Sequence, residues 1–282
     1  MTSPIIDSHV HFWDPGRMEY PWLESLPPLH RPHLPSDFQA ASSGVEVESV
    51  VFVQAEVARS RYRDEVEWVT SFAAGEPRVS GIVAWAPLED GESAEGAVES
   101  LASNPLVKGI RRIIQSEALG FCLRDDFVEG VRLLPRFGLS FDLCVNHTQL
   151  ANTVELVRRC PDGRFILDHI GKPDIATALF DPWKQHIRDL AAFPNVTCKM
   201  SGLVTEADHE SWSPRDLTPY IDHVIESFGF DRVMYGSDWP VATLASDYPR
   251  WVATLEDAVT GCSAAERRML FRDNAERIYR LG

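Results

Sequence analysis

Apolar positions in this chain come in short blocks. Runs rich in Val and Ile recur, and almost every run is followed by a stretch whose apolar positions repeat with the 3.6-residue period of an amphipathic helix. The runs centre on Ile5 and Ile6 and then fall at 47–56, 78–88, 106–115, 139–146, 164–173, 195–203 and 231–240. They show little polar alternation, as expected of parallel strands covered on both faces. Helical patterns fill 61–75, 93–103, 125–138, 148–161, 181–194, 214–229, 247–259 and 263–282. Gly75 reads as the stop of the first, Thr148 as a cap, and Asp181 as a cap with Pro182 in the first helical position. Eight strand–helix units without a linker-like break predict an α/β fold, a single (β/α)8 barrel over residues 1–282.

One stretch breaks the rhythm. Residues 13–38, WDPGRMEYPWLESLPPLHRPHLPSDF, are rich in proline and aromatic residues and read as a long loop that covers the site. Trp13, Tyr20, Trp22, His30 and His33 are its candidates to line a pocket or to anchor the loop.

Composition narrows the function classes. A formal charge of −15 with no basic stripe argues against nucleic acid or an anionic membrane as partner. No run approaches the length of a membrane span, and the N-terminus has no secretory pattern, so a cytoplasmic location is expected. The cysteines Cys122, Cys144, Cys160, Cys198 and Cys262 are scattered without C-x-x-C spacing and read as reduced thiols.

In a barrel, reactive groups sit where strands end at the C-terminal face. His9 and His11 leave the first strand on the same side, because strand side chains alternate with a period of two. Gln54 and Glu56 end the second strand, Arg111 and Arg112 the fourth, Asn146 and His147 the fifth. The sixth ends in Asp168 and His169, the seventh carries Lys199 and Ser201, and the eighth ends in Asp238 and Trp239. Two imidazoles from one strand, a third from another and a carboxylate from the last serve two chemistries. They can hold a divalent ion that polarises water. Alternatively, Asp238 can act as general base while imidazoles and an arginine stabilise an oxyanion.

His-x-His after the first strand, LDHIGKP at the sixth and GSDWP at the eighth resemble the amidohydrolase superfamily. FWDPGRMEYPWL, GIRRIIQ, CKMSGLVTEA and NAERIYRL extend the resemblance to its branch of sugar-acid lactonases and 2-pyrone-4,6-dicarboxylate lactonase. The resemblance implies hydrolysis of a small lactone, with Asp238, His169, His9 and His11 catalytic. It favours Arg111 over Arg112 as the inward guanidinium, with Arg112 turned to the helices. Further substrate-binding candidates are Lys199, Trp239, His147, Glu56 and Trp22, although Lys199 equally suits a barrel-interior ion pair and Trp239 equally suits packing. The chain departs from binuclear members, offering Arg111 and Arg112 where they carry a bridging lysine at the fourth strand and no histidine at the natural end of the fifth. The expectation is therefore no required cofactor and at most one ion such as zinc, on His9, His11 and Asp238, with His169 near.

A sugar-acid lactone of the L-fucono or L-rhamnono type is the leading substrate class. One alternative is a dicarboxylate lactone, which calls for several inward arginines among Arg111, Arg17, Arg59 and Arg61. Others are a metal-dependent decarboxylase of the same superfamily and a binding protein on a retired barrel. The sequence leaves oligomeric state open.

Overall fold

A computed structural model describes residues 4–73, 75–76 and 78–282. The strands are β1 (Ile5–Val10), β2 (Val47–Val53), β3 (Val79–Ala84), β4 (Val107–Ile110), β5 (Ser140–Leu143), β6 (Phe165–Leu167), β7 (Val196–Met200) and β8 (Val233–Tyr235). All neighbours pair in parallel, in chain order from β1 to β8. The ring closes through a parallel bridge between Val10 and Trp239, just past the end of β8. The fold is the expected eight-stranded barrel.

The helices are α1 (Pro35–Ala41), α2 (Tyr62–Ala73), α3 (Glu95–Ala102), α4 (Asp125–Leu133), α5 (Leu150–Arg159), α6 (Trp183–Ala191), α7 (Pro214–Phe228), α8 (Tyr248–Ala258), α9 (Ala264–Arg268) and α10 (Asn274–Tyr279). Their apolar faces pack on the outward side chains of the strands in one large core. A second, smaller cluster fills the barrel itself, where Ile6, Val51, Val53, Val83, Ile166 and Met234 meet Ala275, Tyr279 and Leu281 of the C-terminal segment. That apolar floor leaves the polar groups to the other end. No helix among the described residues is long and apolar enough to cross a membrane.

Several local expectations need correction. The strands are shorter than the apolar runs, because each run continues into the loop at the barrel mouth. Thr148 does not cap α5, which has no side-chain cap; the Asn146 side chain caps the 3-10 turn His147–Gln149 before it, accepting from Thr148 N at 3.0 Å. α6 starts at Trp183 without a side-chain cap, so Asp181 does not cap it. The stop at Gly75 adjoins Ala74, which lies outside the described residues.

Residues 13–38 are more ordered than a structureless loop. They contain 3-10 turns at Pro21–Ser25 and Pro27–Leu29 and the first residues of α1, and Trp13 and His33 pair as an antiparallel bridge. Proline starts each of these helical segments, where its missing N–H costs nothing.

Candidate active site

The seam that closes the barrel also assembles the site. His11 N donates to Trp239 O at 2.8 Å, and Asp238 N donates to His9 O at 2.9 Å. Beneath them the buried Asp7 carboxylate accepts from Ser237 N at 2.9 Å and His9 N at 3.1 Å. The first and eighth strand ends are thereby locked in register, which puts both imidazoles against Asp238.

Hydrogen-bond partners assign the ring proton of His11. His11 Nδ1 lies 2.7 Å from Val53 O, which only accepts, so Nδ1 carries the proton and Nε2 the lone pair. Arg111 Nη1, which only donates, lies 3.3 Å from His9 Nε2. On its other side His9 Nδ1 lies 3.4 Å from Asp168 Oδ1, which accepts, and 3.2 Å from the Lys199 ammonium, which donates. The two Nε2 atoms are 3.2 Å apart, and Asp238 Oδ1 lies 3.7 Å from that of His9 and 3.3 Å from that of His11.

Three potential ligand atoms thus converge, His9 Nε2, His11 Nε2 and Asp238 Oδ1. Tetrahedral zinc with bonds of about 2.0–2.1 Å separates its ligands by about 3.3 Å, so this donor set fits one ion. The same atoms form one of two candidate metal groups among the described residues. The other, His9, Asp168 and His169, has the Lys199 ammonium 3.0 Å from Asp168 Oδ1. That cation disfavours a second ion beside the first.

Burial holds the imidazoles neutral. The His9 ring is pushed well below its ordinary range by burial and then by Lys199, and His11 is also lowered by burial. His169, bonded through Nδ1 to Ser201 Oγ at 2.9 Å, is pushed down to about 4, again chiefly by burial. Burial works the other way on Asp238, but the positive charge that His169, His9 and His11 carry once protonated in acid outweighs it and keeps the carboxyl below the usual range. The site pairs an ionised carboxylate with neutral rings able to share a proton.

Backbone strain gathers at the same place. Glu56, His169, Lys172 and Asp238 all line one cavity and all have positive φ, between 47° and 59°. A left-handed conformation costs a non-glycine residue about 1 kcal/mol or more, and such residues cluster at functional sites. At 169–172 four successive φ values are positive: 53°, 49°, 72° and 47°. Trp183 Nε1 holds this turn from behind, donating to Ile170 O at 2.7 Å.

The cavity has a volume of about 360 Å³, at the small end for ligand sites and suited to a single small ring. One wall is apolar, made by Trp13, Trp22, Leu26, Ile113 and Val241. The polar wall brings His11, His169, Asp238, Arg111, Glu56 and Lys172 together. Arg111 Nη2 donates to Gln54 O at 2.5 Å, and its Nε–H is buried without a hydrogen-bond partner. Cys144 also lines the cavity; burial pushes its thiol up to about 11, so it is an unreactive wall.

Other expected contacts fail to reach the cavity. Lys199 is fully buried, 2.7 Å from Asp142 Oδ2 and 3.0 Å from Asp168 Oδ1, so its substrate-binding role is corrected to a barrel-interior ion pair. Tyr279 Oη donates to the same Asp142 oxygen at 2.5 Å, tying the C-terminal segment to this cluster. Trp239 turns away to pack on Phe12, Phe38 and His33, because the left-handed Asp238 redirects the chain. His147 does not line the cavity; its ring Nδ1 instead donates to Lys172 O at 3.1 Å.

Arg112 faces the helices, as expected, and pairs with Glu89 and Glu117. Arg59 pairs with the same two carboxylates, while Arg17 and Arg61 line an outer depression. Of the four arginines considered for a dicarboxylate, only Arg111 enters the cavity. Tyr20 and His30 border another outer depression, and His33 packs between Trp13 and Trp239.

Sequence reasoning missed Lys172, Gln115 and Asp142. For Asp142 a signal exists: an acidic residue inside an apolar strand needs a buried cation, and Lys199 is the matching one two strands away.

Comparison with known proteins agrees with this geometry. The family model described as Amidohydrolase matches residues 6–281, and the chain belongs to that family. It is 34% identical over 295 residues to an L-fucono-1,5-lactonase of Burkholderia multivorans, covering 100% of this chain and 97% of the relative. A Burkholderia ambifaria protein of the same name is also 34% identical, over 98% of this chain and 95% of its own. The crystal structure of an amidohydrolase from Burkholderia multivorans with bound zinc superposes with a TM-score of 0.89 at 32% identity, covering 99% of this chain and 100% of that one.

Proposed function

We propose that this protein hydrolyses a sugar-acid lactone, of the L-fucono-1,5-lactone type, with Asp238 as general base. The observation that carries the reading is the convergence of Asp238, neutral His11 and His169, and Arg111 on one cavity sized for a single ring. The full-length similarity to L-fucono-1,5-lactonases supports the substrate class.

In this reaction a water oxygen bonds to the lactone carbonyl carbon while Asp238 takes the water's proton. Protonated Asp238 is stabilised by the free lone pair of His11 Nε2, 3.3 Å from Oδ1. The His169 ring, which lines the cavity, supplies a donor for the carbonyl oxygen as it gains charge, and the Arg111 guanidinium beside it adds positive charge. The carbon–ring-oxygen bond then breaks, and the departing alkoxide recovers the proton from Asp238. The apolar wall of Trp13 and Trp22 offers a face for the ring's C–H surface. One zinc ion on His9, His11 and Asp238 would add Lewis-acid polarisation to this set.

A pH-indicator assay over L-fucono-1,5-lactone, L-rhamnono-1,4-lactone and a dicarboxylate lactone, with and without chelator, tests the proposal. Turnover favouring the sugar lactones is expected. No turnover of any lactone would overturn it.

A further inference from the structure

Lys172 is the cavity residue that the chain goes furthest to place. The left-handed turn 169–172 is closed by Lys172 N donating to His169 O at 2.8 Å, an i to i+3 bond. In a three-residue turn, side chains at i and i+3 overlie one another, which is why His169 and Lys172 both face the cavity. The turn is clamped at its end as well. Lys172 O accepts from the main-chain N of His147 at 3.2 Å and from its ring Nδ1 at 3.1 Å.

The ammonium so delivered is under-used by the protein. Its one ion pair among the described residues is with Glu206 Oε1 at 3.6 Å, beyond hydrogen-bond distance. An ammonium has three N–H donors. Arg111, the other cation lining the cavity, is already committed, facing Gln54 O, His9 and Asp168. The cavity therefore holds one cation that stabilises the site and one that is free for a ligand.

We propose that Lys172 binds the negative charge that hydrolysis creates, first on the tetrahedral oxyanion and then on the product carboxylate. This rests on the lactonase reading for its chemistry, since water opens a neutral lactone to an aldonic acid that releases the second water proton to solvent and is left as an anionic aldonate. Nothing leaves or joins Lys172; it stays a charged hydrogen-bond donor while the proton moves between water, Asp238 and the ring oxygen. Glu206 keeps the ammonium turned to the mouth when no anion is bound.

The test compares Lys172→Met, which keeps the stem and removes the charge, with Lys172→Arg, which keeps the charge. Binding of L-fuconate, L-rhamnonate and D-gluconate is measured by calorimetry, and lactone turnover by steady-state kinetics. A charge-assisted hydrogen bond is worth about tenfold or more in affinity. Lys172→Met is expected to lose about that much aldonate affinity and kcat/KM, with KM for the neutral lactone within about threefold, and Lys172→Arg to regain most of both.

Should Lys172→Met lose its native circular dichroism, Lys172→Gln is read in its place. A folded neutral variant matching wild type within about twofold in aldonate affinity and in kcat/KM would overturn the inference, as would a wild type that binds none of the three aldonates. If wild type turns over no lactone yet binds an aldonate through Lys172, the anion site stands and the lactonase reading falls.

Discussion

Arg111 Nη1 stands 3.3 Å from His9 Nε2, on the same lone pair that a zinc ion would use. The guanidinium and a metal therefore compete for one nitrogen. Removing the cation in Arg111→Met should tighten zinc binding by about tenfold, because it frees the ligand and removes a like charge. Competition against a chromophoric chelator measures this. Unchanged or weaker zinc affinity in the variant would show that Arg111 does not guard the site.

Glu65 supplies a stability test with a definite sign. Its carboxyl is fully buried on α2; one oxygen accepts from Ala55 N at 3.1 Å and the other has no partner. Burial pushes it up to about 8 from 4.5. As pH rises through about 4.5 the unfolded chain releases this proton first, while the folded chain keeps it until about 8. Glu65 therefore costs stability over that window and its full penalty lies above it. Glu65→Gln should gain on wild type between pH 5 and pH 8.5, by as much as a few kcal/mol. Urea unfolding at both values reads the difference, and a gain independent of pH would contradict the assignment.

Gly202 is the floor beneath His169. A Cβ there would lie 2.5 Å from His169 Nδ1, and its φ of +65° is itself unfavourable for other residues. Gly202→Ala should destabilise by about 1–3 kcal/mol and lower kcat/KM by about tenfold or more as the ring is displaced. Gly44 is the control, with φ +86° and open space around it. Gly44→Ala should lose only about 1 kcal/mol and no activity. Equal activity in both variants would count against a working His169.

The ion cluster under the site predicts non-additivity. Lys199→Met leaves Asp142 and Asp168 buried without their shared cation and should cost about 3–5 kcal/mol. Adding Asp142→Asn removes one stranded charge, so the double variant should recover part of that loss. Additive losses in denaturant unfolding would mean that the two groups do not act as a pair.

The barrel was legible because parallel strands buried on both faces write apolar blocks into the sequence, and eight of them followed one another. The shared direction of His9 and His11 followed from strand alternation alone, whereas alternation said only that one of Arg111 and Arg112 points inward and the family resemblance favoured Arg111. What failed lay where alternation stops. Trp239 follows a residue with positive φ, so its neighbour's direction says nothing about its own. Lys172 enters the cavity through a left-handed turn of which only Gly171 is a visible sign. Lys199 has the right face but the wrong depth, since depth depends on how strands are staggered around the barrel, a property of pairing rather than of any one strand. His147 lies close to the site in sequence terms, yet it contacts the backbone of Lys172 instead of the cavity.

The central claim is that Asp238 moves the proton of the attacking water. Asp238→Asn keeps the shape and the main-chain bond to His9 O while removing the base. Steady-state hydrolysis of the best lactone, alongside calorimetric binding of its aldonate, gives the most direct test. The prediction is a fall in kcat of about a thousandfold or more, with product still bound. A folded Asp238→Asn that retains kcat within about tenfold of wild type would contradict it.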